Sequence, residues 1–350
     1  MRLPRIACTL VALCLAPLLS LPAAATTAAD WPDTTTAGRT HFLRGSYQYG
    51  SLLETNDFVK GDNKQGEPIE RFQSIRLEFG WQTDGRNAWE HLYNFPAYGF
   101  GILGADYFEF EDEMGNPSAL YGFFIWPAKR WGGSVFNMEV GLGLSEDWKA
   151  YDPVENPNNT AIGALRTIYI DIGAVWSVAL GKRFDVDAGI KGTHFSNGGT
   201  KKPNLGINQV GASLGLTYRL GQGRPRLPER RALPPFEPRW EFLVVGAAGI
   251  NNQNFDTKNE DPAEQYKNVD YTVLNLGAGM NRQVGHMSKF GGGLDITYDD
   301  AVGAQVDTTS GAVLDLTDST RDKMALGVWV GYEQVVDRGS MLFQMGYQVF

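Results

Sequence analysis

After its first twenty-five residues the chain has no run of 18 consecutive apolar residues, yet it alternates apolar and polar side chains in stretches of about ten. From 136 to 144, Phe136, Met138, Val140, Leu142 and Leu144 share one face, while Asn137, Glu139, Gly141 and Gly143 share the other. From 167 to 181, Ile168, Ile170, Ile172, Trp176, Val178 and Leu180 again share a face, opposite Asp171, Gly173 and Ser177. Successive side chains of a strand point to opposite sides, so this pattern specifies half-buried β-strands. A soluble sandwich alternates too, but it would expose charge. Here the second face is rich in Gly, Ser, Asn and Thr with isolated charges, as in a barrel lumen. The expected fold is therefore all-β, an antiparallel transmembrane outer-membrane β-barrel of about 12–16 strands.

The start of the chain fits export to such a membrane. Arg2 and Arg5 precede an apolar segment from Ile6 to Leu21, and Ala23, Ala24 and Ala25 offer a cleavage site, so residues 1–25 read as a cleaved signal peptide. Leu13 before Cys14 does not suit lipoprotein processing. Both cysteines lie inside this segment, which leaves residues 26–350 without disulfides, thiolate metal sites or a cysteine nucleophile. A formal charge of −9 argues against nucleic acid as a partner.

Thirteen strands are expected, near 40–51, 70–82, 96–107, 118–127, 134–145, 165–181, 184–196, 207–220, 239–250, 270–283, 287–299, 323–336 and 340–350. Long polar connections at 52–69, 108–117, 146–163, 251–269 and 300–322 alternate with short ones such as Lys182-Arg183 and Asp337–Gly339. That asymmetry suits long outer loops and tight periplasmic turns. No helix is indicated. The Pro-rich, basic stretch 224–239 cannot pair as a central strand and reads as a long periplasmic connection within the barrel. Thirteen is odd, whereas single-chain bacterial barrels are even. Terminal Phe350 also falls out of the apolar register of Met341, Phe343, Met345, Tyr347 and Val349. Both points lead to the expectation that strands are missing at the end of the chain or within the count.

The candidate chemistry lies in HFSNGGTKKPNLGIN, residues 194–208. Counting by two from Phe184, the apolar face runs Val186, Ala188, Ile190 and Gly192 to His194 and Ser196. In the next strand Asn208 leads Val210, Ala212, Leu214 and Leu216. His194, Ser196 and Asn208 thus face lipid at the outer end of one hairpin. A hydroxyl, an imidazole and an amide able to orient the ring form the nucleophile–base–orienter set of acyl transfer. Backbone N–H groups near Asn197 and Gly198, with the Asn204 amide, offer an oxyanion hole. Lys201 and Lys202 could meet substrate phosphates. The bland alternative is a polar strand end meeting headgroups. His41, His91 and His286 have no acidic or His partners at ligand spacing and read as interface or loop residues, so no metal site is expected.

This stretch resembles the signature of the lipid A 3-O-deacylase (PagL-like) or acyloxyacyl hydrolase family, in which H-x-S-N precedes N-x-G. AYGFGILGADY at 97–107, GNPSALYGFFIWP at 115–127 and AYDPVENPNNTAIGA at 150–164 extend the likeness. The resemblance implies His194 as base, Ser196 as nucleophile, Asn204 in the oxyanion hole, and lipid A of lipopolysaccharide as substrate, with no cofactor. The family's glutamate, twelve residues after the serine, is replaced by Asn208. Outer-membrane phospholipase A is similar in H-x-S-N followed by asparagine. It uses Asn as third member with calcium, which keeps phospholipid and calcium open under that alternative. A barrel with a decayed site, acting as pore or scaffold, is the third reading. Oligomeric state is not legible.

Overall fold

The computed structural model describes residues 39–349 other than 258, 260–264, 308–309 and 318. The expected signal segment 1–25 and the register of Phe350 lie outside the described residues. No helix among the described residues is long and apolar enough to cross a membrane. The chain divides into two units, one through Ala232 and one from Leu233.

The first unit is a closed antiparallel barrel of eight strands: β1 Thr40–Leu52, β2 Arg71–Gln82, β3 Ala97–Asp106, β4 Gly115–Trp131, β5 Ser134–Trp148, β6 Thr167–Leu180, β7 Phe184–Ser196 and β8 Ile207–Arg219. Closure comes from β1 pairing with β8, Phe42 opposite Arg219 through Leu52 opposite Gln209. The outward face is apolar: Ile75, Leu120, Ile172, Ile190 and Leu214 are 61–65% exposed. Toward the barrel end opposite the packed loops, outward aromatics form a girdle, with Trp81 stacked on Tyr98 and Trp131 on Trp176. Such a surface suits hydrocarbon flanked by an aromatic belt.

An eight-stranded barrel is just wide enough for side chains to fill it, and here they carry charge. Arg44 binds Glu78 and, through both terminal nitrogens, Glu139 at 2.6 and 2.9 Å. Lys191 bridges Glu139 (2.7 Å) and Asp171 (3.2 Å), and Arg76 reaches Asp171 at 3.0 Å. All six are at most 5% exposed. Three cations face three carboxylates, so the buried charges are mutually compensated.

The loop end is capped by packed connections. Phe58, Val59, Ile69, Tyr107, Phe110, Met114, Trp148 and Ile162 belong to the cluster that also takes in Phe195 and Ile207. The expectation of no helix meets three short helical segments in these connections and the β2–β3 link: α1 Asp57–Lys60, α2 Ala88–Leu92 and α3 Glu111–Met114, the last preceded by a 3-10 turn Phe108–Phe110. Each is a single turn or little more, too short to print a 3.6-residue period on the sequence.

The second unit holds a five-stranded antiparallel sheet, β9 Arg239–Asp256, β10 Tyr266–Gln283, β11 Ser288–Asp299, β14 Met324–Val336 and β15 Gly339–Gln348, adjacent in the order β15-β14-β11-β10-β9. Two short strands, β12 Ala304–Val306 and β13 Val313–Asp315, pair within the expected loop 300–322. One face is apolar and open, with Phe242, Val244, Val330 and Met345 exposed. The other carries Lys289 between Glu241 (2.6 Å) and Glu333 (3.1 Å). The thirteen long strands expected are all present. They group as eight and five, with no strand between Leu220 and Pro238.

Candidate active site

The β7–β8 hairpin turns its catalytic candidates outward because the residues between them are locked inward. Phe195, fully buried, packs against Trp148 and Tyr169 at ring separations of 4.9 and 5.6 Å. Its cross-strand partner Ile207 is buried as well. Period two then forces His194 and Ser196 to the outer face. There they sit opposite Ile170 and Ile168 of β6, and His194 pairs across the hairpin with Asn208.

His194 Nδ1 lies 2.7 Å from Asn208 Oδ1. An amide oxygen only accepts, so Nδ1 carries the proton and Nε2 keeps its lone pair. The Asn208 amide is also tied down on its far side, where Nδ2 donates to Thr55 Oγ1 at 3.0 Å. Nε2 has no hydrogen bond among the described residues.

Around Ser196, 7% exposed, two donors converge. Asn204 Nδ2 donates to Ser196 Oγ at 2.9 Å and Gly198 N–H at 3.2 Å. The Asn197 N–H does not join them; it donates to Asn204 Oδ1 at 3.0 Å, orienting that amide so its NH₂ faces the serine. The Asn197 side chain folds the loop, accepting from Gly199 N (3.2 Å) and donating to Lys201 O (2.8 Å). His194 and Ser196 share the outward register but make no direct hydrogen bond to each other. Catalytic hydrogen bonds commonly close only in the substrate complex. Lys201 is exposed on the loop and Lys202 half-buried.

Several supporting residues were not singled out from the sequence. Asn56 caps α1 through Oδ1, accepting from Val59 N at 3.0 Å, and its Nδ2 donates to Gly206 O at 2.8 Å. Leu205 N and Gly206 N donate to Thr160 O and Ala161 O at 3.2 and 2.9 Å. The segment that accepts them is pinned by fully buried Asn159, whose Nδ2 donates to Glu113 O and Lys149 O and whose Oδ1 accepts from Ala161 N and Ile162 N. In the same connection Asp152 accepts from Glu155 N and Val154 N, and those bonds hold its carboxyl below the usual carboxylate range. The sequence signal for these contacts was Gly206, already visible in the N-x-G spacing.

Gly206 has φ +75°, and a Cβ there would lie 2.9 Å from His194 Cε1 and 3.1 Å from Phe195 O. Gly206→Ala therefore both strains the backbone, by about 1–2 kcal/mol, and pushes the imidazole from its place. The expected result is a fall in kcat of roughly tenfold or more with the barrel still folded. Steady-state rates together with the heat-dependent gel shift of folded barrels check both halves.

The remaining histidines lie apart from this site. His41 stacks on Phe79, His91 is hydrogen-bonded to Gly85 O and Arg231 N, and His286 to Pro234 O.

Residues 73–217 match the family described as lipid A 3-O-deacylase (PagL), and residues 239–350 match the acyloxyacyl hydrolase C-terminal domain. With the barrel, these matches define an ester hydrolase built on an outer-membrane type of β-barrel. The chain belongs to the lipid A 3-O-deacylase (PagL) family. Among solved structures it is similar to Neisserial surface protein A (NspA), at 11% identity over 52% of this chain and 99% of that one, with a TM-score of 0.35. It is also similar to the outer-membrane enzyme PagL, at 16% identity over 50% and 97%, with a TM-score of 0.31. No curated protein matches the chain.

Proposed function

We propose that the protein removes an ester-linked acyl chain from lipid A by a Ser–His mechanism on the lipid-facing surface of the closed barrel. The observation that carries this reading is the convergence at one outward strand end of His194, oriented by Asn208, and Ser196, oriented by Asn204 and Gly198. His194 Nε2 takes the Ser196 proton as Oγ attacks the ester carbonyl. The negative charge that develops on the carbonyl oxygen is met by the Gly198 N–H and the Asn204 amide. His194 returns the proton to the departing sugar hydroxyl, and a water activated by the same nitrogen hydrolyses the acyl-enzyme. The outward direction selects an ester presented by a membrane lipid. Residues 1–25 act as the export signal and the stretch 224–239 runs on the periplasmic side. The catalytic loop then faces the outer leaflet, where Lys201 and Lys202 lie near substrate phosphates.

The compensated charges that fill the lumen favour an enzyme over a pore. One observation favours phospholipid as an alternative substrate: the third member is the amide of Asn208, which orients the imidazole without a charge. The deciding experiment presents purified protein with lipid A or phospholipid in mixed micelles and reads products by mass spectrometry, with and without a calcium chelator. Loss of one acyl chain from lipid A, absent in Ser196→Ala, is the expected result. Lysophospholipid alone would move the protein to the phospholipase reading, and no product from either lipid by the folded barrel would overturn both.

Asn208→Glu gives a pH test of the same geometry. A carboxylate against Nδ1–H stabilises imidazolium, and the base works only when neutral. The acid limb of kcat/KM is therefore expected to move to higher pH by roughly one unit or more. An unmoved limb would mean that His194 is not the base.

A further inference from the structure

We propose that the turn end of the closed barrel carries a basic rim that binds the headgroup phosphates of anionic glycerophospholipids, in the leaflet opposite the catalytic loop. The rim is built from Lys129 near the end of β4, Lys182 in the β6–β7 turn and Arg226 in the segment after β8. All three are exposed, and their side chains make no hydrogen bond or ion pair among the described residues. These segments form one continuous edge: Ala179 N donates to Gly133 O at 2.8 Å, and Arg224 N donates to Lys182 O at 2.7 Å.

The edge sits on an aromatic platform. Lys129 Nζ lies 5.0 Å from the centre of the Trp131 ring. Trp131 in turn stacks on Trp176 with centroids 5.2 Å apart and planes 8° off parallel. Indoles settle where hydrocarbon meets headgroups, and an ammonium just beyond them lies at the level of lipid phosphates. The neighbouring arginines differ: Arg219 and Arg224 both turn inward onto Asp185. At the loop end, Lys60 and Arg166 lie against Asp57 (3.0 Å) and Glu146 (2.8 Å), while Lys149 and Lys201 are exposed but have no indole pair beneath them among the described residues. Unpaired positive charge is thus left along the turn-end edge. It is spread along a line rather than gathered into a pocket, which fits a row of lipid headgroups better than one free anion. Charges so placed lie within a Debye length of an anionic leaflet and are attracted to it.

The test is native mass spectrometry of the full chain, released from detergent with equimolar phosphatidylglycerol and phosphatidylcholine. The wild-type protein is expected to retain phosphatidylglycerol over phosphatidylcholine by about tenfold or more, falling as sodium chloride is raised. The triple variant Lys129→Gln, Lys182→Gln, Arg226→Gln is expected to bring the ratio close to one. A charge-matched loop-end variant, Lys60→Gln, Lys149→Gln, Arg166→Gln, is expected to keep the preference. Equal retention of the two lipids by wild type overturns the proposal, as does a preference that survives the turn-end variant. So does displacement of the lipid by inorganic phosphate at matched concentration. The wild-type ratio and its salt dependence decide the matter even if the triple variant does not refold.

Discussion

Ser196→Ala is expected to lower the turnover of the lipid ester by about 10³–10⁶-fold while leaving the barrel folded. The hydroxyl is the only candidate nucleophile in the outward register of the hairpin, and the donors that orient it, Asn204 Nδ2 and Gly198 N–H, would remain without it. Whatever rate survives would come from substrate binding and the oxyanion donors alone. Stability should change by no more than about 1 kcal/mol, because Ser196 stands outside the charged lumen network. Under the proposed mechanism, combining Ser196→Ala with His194→Ala should cost little beyond either change alone, as for any two residues that act as one unit. A fall of less than tenfold in purified protein would sink the covalent mechanism.

Glu139→Leu is the second large effect, and it falls on the fold. Glu139 accepts from Arg44 at 2.6 and 2.9 Å and from Lys191 at 2.7 Å, in a lumen where all three are nearly inaccessible to water. Removing the carboxylate leaves two cations sharing what Glu78 and Asp171 can supply. Breaking a buried pair in this way costs about 3–5 kcal/mol, and urea unfolding from lipid vesicles would measure it. Ile172→Ala on the outer face loses only lipid contacts and should cost less. A cost below about 1 kcal/mol for Glu139→Leu would mean that water reaches the lumen and solvates the stranded cations.

The strands were legible because alternation is local: β7 spans Phe184–Ser196 as counted, and His194, Ser196 and Asn208 occupy the face that counting assigned. Closure at eight was not legible. It depends on β1 finding β8, a pairing of Phe42 with Arg219 that leaves no mark in either strand alone. The odd total of thirteen therefore signalled a division into eight and five as readily as missing strands. The supports of the site were hidden for the same reason. Thr55 touches Asn208, and Asn56 touches Gly206, across about 150 residues. A polar residue in a loop carries no sign of its distant partner. The role of the Asn197 backbone was likewise invisible, since sequence offers donors but not the acceptors they find.

The seam between β1 and β8 also sets an order in time. The catalytic hairpin is the last one of the barrel, while Thr55 and Asn56, which brace it, follow the first strand. They reach it only once the first and last strands have zipped together. An unclosed chain thus holds Ser196 and His194 without the contacts of Thr55 and Asn56, and under the proposed mechanism activity is expected only after closure. In a refolding time course into lipid vesicles, ester hydrolysis should begin no earlier than the gel shift that marks the closed barrel.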